Sequence, residues 1–272
     1  MDPTTFNFPL TAPISLMVRL GHGSLTVEAR DDLTEATVTL SAHGRVEDLL
    51  EKVTVELRGT TLTVIAPRQG GLPDLLGGWR KDRDAIDAVI VVPTGTAVKL
   101  TTATAPITVR GRVGAADVTS GNASVDLATV AGDLRLRYGT GESRVGAVTG
   151  SAQLKGGRGE LHLGEIGGRL HCAFGSGTLT ATLVRGDLHA RTGSGSTSVD
   201  AAYGNVDLAT GSGTLTVGVP DGVSVRLDVM TGSGSLHSDL PVEQAPRAGA
   251  RAVTLRARTG SGDVRLVRAP AA

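Results

Sequence analysis

The stretch Phe174–Val217, FGSGTLTATLVRGDLHARTGSGSTSVDAAYGNVDLATGSGTLTV, decides the fold. Gly-Ser-Gly begins at Gly175, Gly193 and Gly211, each eighteen residues after the last. Stepping back by eighteen meets Gly157, Gly139 and Gly121 without a gap. A second glycine column runs through Gly114, Gly132, Gly150, Gly168, Gly186 and Gly204 at the same period. Each repeat therefore carries two punctuation points. Between them apolar and polar residues alternate, as in Leu134-Arg135-Leu136-Arg137 and Glu160-Leu161-His162-Leu163. A period of two sends every second side chain to one face of a strand. No helical period runs through this region.

Aligned on the glycines, the repeats form aliphatic columns. One reads Leu134, Ala152, Leu170, Leu188, Val206; another reads Leu136, Leu154, Cys172, Ala190, Leu208. A single repeat cannot bury such a face, but stacked repeats share one core. The sequence thus predicts an all-β protein, a β-solenoid (β-helix) of eighteen-residue, two-stranded coils stacked ~4.8 Å apart. Glycine at the corners is expected to supply positive φ. Cys172 is expected as a small buried hydrophobe and not as a reactive thiol. Tyr138 and Phe174 share a column with Gly156 between them, and are expected to fill space beside a corner.

The bulk composition excludes several classes of function. The chain has 272 residues, with 27 basic and 27 acidic side chains and no formal net charge. No global field draws it to nucleic acid or membrane. Aromatic residues make up only 2%, so the core must be aliphatic. The single cysteine permits no intramolecular disulfide. The opening MDPTTFNFPLTAPISLMV has neither a basic start nor an unbroken apolar run. No window reaches the ~18 apolar residues of a membrane-spanning helix. The expected location is the cytoplasm.

Outside the regular repeats the period changes. Gly232 follows Gly211 by 21 residues, and Gly260 follows Gly232 by 28. The domain reading is a β-sandwich-like N-terminal cap over 1–95, a solenoid over 96–240, and an inserted loop with a C-terminal closing coil over 241–272. Strands of the cap are expected at Ile14–Leu20, Ser24–Ala29, Ala36–Ser41, Val53–Arg58, Leu62–Ile65 and Ala85–Val92. A long loop at 67–84 interrupts the cap. It carries Leu72, Leu75, Leu76 and Trp79 beside Arg80, an apolar knob next to positive charge that could dock a partner. The competing reading is a loop that shields a strand edge.

Three segments carry a family resemblance: VPDGVSVRLDVMTGSGSLHSDLP at Val219–Pro241, LRARTGSGDVRL at Leu255–Leu266, and VIVVPTGTAVKL at Val89–Leu100. They resemble a bacterial β-strand-repeat family catalogued as "putative adhesin" or as a domain of unknown function. The resemblance runs from about Ile14 to Leu266. It implies a β-solenoid without an established activity, and it brings no catalytic residues.

A search for chemistry returns little. The Gly-Ser-Gly repeats lack the strand-to-helix setting of a nucleophile elbow. No lysine completes a phosphate loop after Gly193-Ser194-Gly195-Ser196. His171 and His189 should stack on adjacent repeats, but a pair falls short of a metal's usual ligand set. Glu142 and Glu160 also stack, with Arg144 and His162 two residues on, as in a charge-compensated face. No catalytic residue, cofactor or metal is expected. One outward strip is basic: Arg135, Arg137, Lys155, His171, His189 and Arg191. Such a wall suits an anionic polymer. The shortage of aromatics for base stacking disfavours nucleic acid, and a merely solubilising face is the alternative. The functional expectation is a non-enzymatic binding or scaffold protein for a protein or anionic polymer partner. A cell-surface adhesin and a polysaccharide-active enzyme on the solenoid wall are the alternatives.

Overall fold

The computed structural model describes residues 3–43, 50–67, 85–221, 223–240 and 251–269. The chain is all-β. Its strands fall into two compact units, one of residues up to Gly132 with Arg137–Gly139, the other of Asp133–Leu136 with Thr140 onward.

The first unit contains β1 (Thr4–Pro9), β2 (Ser15–Leu20), β3 (Gly23–Arg30), β4 (Glu35–His43), β5 (Thr54–Arg58), β6 (Thr61–Ile65), β7 (Ala85–Pro93), β8 (Ala97–Thr102), β9 (Ile107–Val113), β10 (Ala116–Asn122) and β11 (Val125–Val130). The six strands expected here all form. Their partners are not those of a sandwich. β2 runs parallel to β8, with Leu16 opposite Val98, and β3 runs parallel to β9, with Leu25 opposite Ile107. On their other edges β2 pairs in parallel with β6, and β3 with β7. The β-sandwich-like cap over 1–95 is therefore replaced by parallel ladders. The reason is visible in the spacing. Leu16 and Leu25 are nine residues apart, as are Val98 and Ile107, half the eighteen-residue repeat. Leu62 and Ala88, which pair with Leu16 and Leu25, are twenty-six apart. The seventeen extra residues equal the segment 68–84 in length, and they hid the half-repeat. Lengthening a connection costs little closure entropy, so the ladder tolerates it.

The second unit and the strand leading into it hold β12 (Leu134–Val148), β13 (Ala152–Ile166), β14 (Leu170–Val184), β15 (Leu188–Ser194), β16 (Thr197–Ala202), β17 (Val206–Ser212), β18 (Leu215–Val219), β19 (Val223–Ser233), β20 (Leu236–Ser238), β21 (Arg251–Ser261) and β22 (Val264–Arg268). From β13 to β18 each residue pairs in parallel with the residue eighteen further on: Leu154 with Cys172, Leu170 with Leu188, Leu188 with Val206. The inward columns are buried. Leu154, Leu170, Cys172, Leu188 and Leu208 are at most 1% exposed. Tyr138 and Phe174 are buried as well. Burial pushes the Cys172 thiol far above its ordinary range, in keeping with an inert core position.

After β18 the order departs from the sequence. β17 pairs with β21, with Val206 opposite Leu255, and β18 pairs with β22. β19 pairs with the other edge of β21, and β20 with the other edge of β22. The last strand pair of the chain is thus inserted between β17/β18 and β19/β20. The Thr254 amide donates to Asn205 Oδ1 at 2.9 Å across the new junction. The expected C-terminal closing coil is therefore not the outermost one; β19/β20 is. Pro241–Ala250, expected as an inserted surface loop, lies outside the described residues.

The glycines divide by cause. Positive φ is confined, within the Gly-x-Gly of the repeats, to the second glycine: Gly141, Gly159, Gly177, Gly195, Gly213, Gly234 and Gly262, at φ +130° to +147°. The first column, expected at positive φ, does not adopt it. A Cβ at Gly193 would lie 2.5 Å from the Gly175 carbonyl oxygen of the neighbouring strand. Close stacking, and not backbone handedness, excludes a side chain there.

Candidate functional site: a basic wall

Along β13–β22 the outward positions form two neighbouring columns. In the first, Gln153, His171, His189, Asp207, Arg256 and Asp228 follow one another in ladder register. Charges alternate here. His189 Nδ1 is 3.2 Å from Asp207 Oδ2, and Arg256 Nε is 3.4 Å from Asp228 Oδ2. The His171 and His189 rings stack with centroids 5.0 Å apart and planes 9° apart, as the eighteen-residue spacing implied. Burial holds the His171 imidazole below its ordinary 6.5, helped by His189, Lys155 and Arg191. At neutral pH His171 therefore adds little positive charge to the wall.

The second column reads Lys155, Ala173, Arg191, Ala209, Arg258. Cationic and small residues alternate. With strands ~4.8 Å apart, the cations recur about every 10 Å. Lys155, Arg191 and Arg258 are exposed. Among the described residues none of the three takes part in an ion pair. A shallow depression of about 570 Å³ lies over Ala209, with Arg191, Met230 and Arg258 on its rim. Arg258 was not legible as a member of this strip. Chain order places Met230 after Ala209; only the inserted β21 brings Arg258 there.

The other expected members differ. Arg135 is exposed and, among the described residues, carries no ion pair. Arg137 falls in the first compact unit, where its Nη1 lies 3.5 Å from Asp117 Oδ1. Its charge is thus compensated. Leu72, Leu75, Leu76, Trp79 and Arg80, the expected partner-docking loop, lie outside the described residues.

A second cluster gathers Glu142, Glu160 and His162, whose ligand-type atoms lie within 4.8 Å of one another. His162 Nε2 is 3.6 Å from Glu142 Oε1 and 3.4 Å from Glu160 Oε2, and Arg144 also pairs with Glu142. Arg144 and His162 over two carboxylates make the face that the spacing predicted.

No family model and no curated protein matches the chain. Several solved structures are similar to it. A "putative adhesin" from Parabacteroides merdae is 12% identical with a TM-score of 0.47, over 98% of this chain and 97% of that one. A "putative adhesin" from Bacteroides fragilis is 12% identical with a TM-score of 0.42 over the same shares. A "putative lipid binding protein" from Parabacteroides distasonis is 12% identical with a TM-score of 0.39, again over 98% and 97%. No helix among the described residues is long and apolar enough to cross a membrane.

Proposed function

We propose that the parallel ladders are coils of a β-solenoid, and that the chain is a non-enzymatic binding protein whose wall takes an anionic polymer. The observation that carries this reading is the uncompensated Lys155–Arg191–Arg258 column. Strand pairing holds these cations at a fixed repeat, so a chain of evenly spaced anions meets them without reordering the protein. The alternating alanines leave room for the polymer between cations. The contacts are exposed, so their strength falls with added salt. The Lys155–Arg191–Arg258 column offers charge and position, which suits binding. The cytoplasm remains the proposed location.

The test uses inorganic polyphosphate as the probe. Replacing Arg135, Lys155, Arg191 and Arg258 with Ser is expected to abolish retention of the folded protein on a polyphosphate column at low salt. Replacing Arg137 alone, already paired with Asp117, should leave retention near wild type. Unchanged retention of the fourfold variant overturns the reading. The adhesin alternative is separated by fractionating source cells: surface-bound protein favours it.

A further inference from the structure

The outermost strand pair, β19/β20, ends on an open edge. β19 pairs with β21 on one side, and among the described residues no strand pairs with its other side. Three of the four large apolar side chains exposed among the described residues sit here: Leu227 at 41%, Met230 at 61% and Leu236 at 47%. Leu227 lies in register with the buried Leu255 of β21, so it belongs to an inward column that, among the described residues, stops there. An apolar core end with an unpaired edge is a template for strand addition.

The sequence of the edge says what fits it. β19 reads Val223-Ser-Val-Arg-Leu-Asp-Val-Met230. Val225, Leu227 and Val229 share one face, and Arg226 and Asp228 the other. Suppose a second copy lies antiparallel with its Leu227 opposite this Leu227. Then Arg226 faces the other copy's Asp228, and Asp228 faces the other copy's Arg226. On the core side Val225 faces Val229, apolar against apolar. Moving the register by one residue sets apolar side chains opposite charged ones. Moving it by two in either direction sets Arg226 against Arg226 or Asp228 against Asp228, which is destabilising. The strand is complementary to itself in one face-preserving register, as a two-fold interface requires. Arg226 is exposed and, among the described residues, has no ion-pair partner within its own chain.

We infer that this chain forms a two-fold dimer through antiparallel pairing of β19 with β19 of a second copy, centred on Leu227. The inference is independent of the polyanion reading.

Sedimentation equilibrium of the full chain over a wide concentration range is the test. The wild type is expected to double its mass with rising concentration. Arg226→Glu sets like charges opposite at two symmetric positions, and is expected to return the mass to that of a monomer. The double exchange Arg226→Glu with Asp228→Arg, made on an Arg256→Asp background so that the in-chain pair of positions 228 and 256 keeps opposite charges, restores opposite charges across the two-fold and is expected to recover the dimer. Circular dichroism melts of each variant verify that it is folded. A wild type that stays monomeric at every concentration overturns the proposal and assigns the edge to some other strand. A dimer insensitive to Arg226→Glu, or one that the double exchange fails to recover in folded protein, also overturns it.

Discussion

The outer strands of the two units are finished differently. At the N-terminal end, the outermost parallel strands are β6 and β7. β5 covers β6 as an antiparallel partner, with Leu57 opposite Leu62. β4 covers β7 in the same sense, with Val38 opposite Ile90, and β1 covers β4. Ile90, Leu62 and Val38 are fully buried as a result. At the C-terminal end β19 and β20 have, among the described residues, strands on one side only, and Leu227 and Leu236 remain exposed. Both ends depart from chain order: β2/β3 lies inside the later β6/β7, and β21/β22 lies inside the earlier β19/β20. Only one end then adds antiparallel strands that stop the ladder. Parallel strands stack without limit; a reversal of direction is what ends the stack. The contrast identifies the open end as the place where another chain can add.

The largest test of this contrast is glycine substitution. Gly23 has φ +112°, and a Cβ there would lie 2.0 Å from the Ile86 carbonyl oxygen. β3 is held between β7 and β9 and cannot withdraw. Gly23→Ala should cost about 3 kcal/mol or more in urea unfolding. Gly234 has a similar clash, with a Cβ 2.1 Å from the Gly262 carbonyl oxygen. Its strand pair can move outward, so Gly234→Ala should cost only about 1–2 kcal/mol. Equal costs would break the comparison.

Core truncation sharpens it next. Leu62→Ala at the covered end should lose about 3 kcal/mol, the cost of a buried leucine and its cavity. Leu236→Ala at the open end should lose less than about 1 kcal/mol. Both are read from denaturant midpoints at protein concentrations too low for association. A large loss at Leu236 would mean that the open end is covered.

The smallest effect concerns Asp263, which ties the open end down. Its Oδ1 accepts the Ser235 amide at 3.0 Å and the Ser235 hydroxyl at 2.9 Å. These bonds, the backbone one first, hold its carboxyl below the ordinary 3.8. A depressed carboxylate stabilises the fold above its ordinary value and loses that stabilisation as pH falls through the depressed one. Asp263→Asn should speed hydrogen exchange at Leu236–Ser238 near neutral pH. The wild type should approach the variant as the pH falls below about 3.8. No change in exchange would place the anchor elsewhere.

Much of this was legible in the residues. The columns through Leu154, Cys172 and Leu208 predicted burial and register together, because a two-residue alternation locked to an eighteen-residue repeat leaves one consistent alignment. The six N-terminal strands were legible from two-residue alternation and turn residues alone. Their parallel partners were not, because segment 68–84 stretches a nine-residue spacing to twenty-six. The role of Gly-x-Gly was legible only in part. Both glycines look alike in sequence, yet the second needs its φ and the first needs only the absence of a Cβ. Of the basic strip, Lys155 and Arg191 stand in uncompensated positions, whereas Arg137 meets Asp117 from an earlier strand.

The amino-acid sequence by itself determined which side chains turn inward and how far apart register-equivalent residues lie. Both follow from local alternation and from the steric demands of glycine. The tertiary structure alone decided the order in which strand pairs stack. Each pair offers the same aliphatic columns to either neighbour, so chain order does not specify it, and a longer connection adds little entropic cost. That choice sets Arg258 beside Ala209 on the basic wall and leaves Leu227 at the open end.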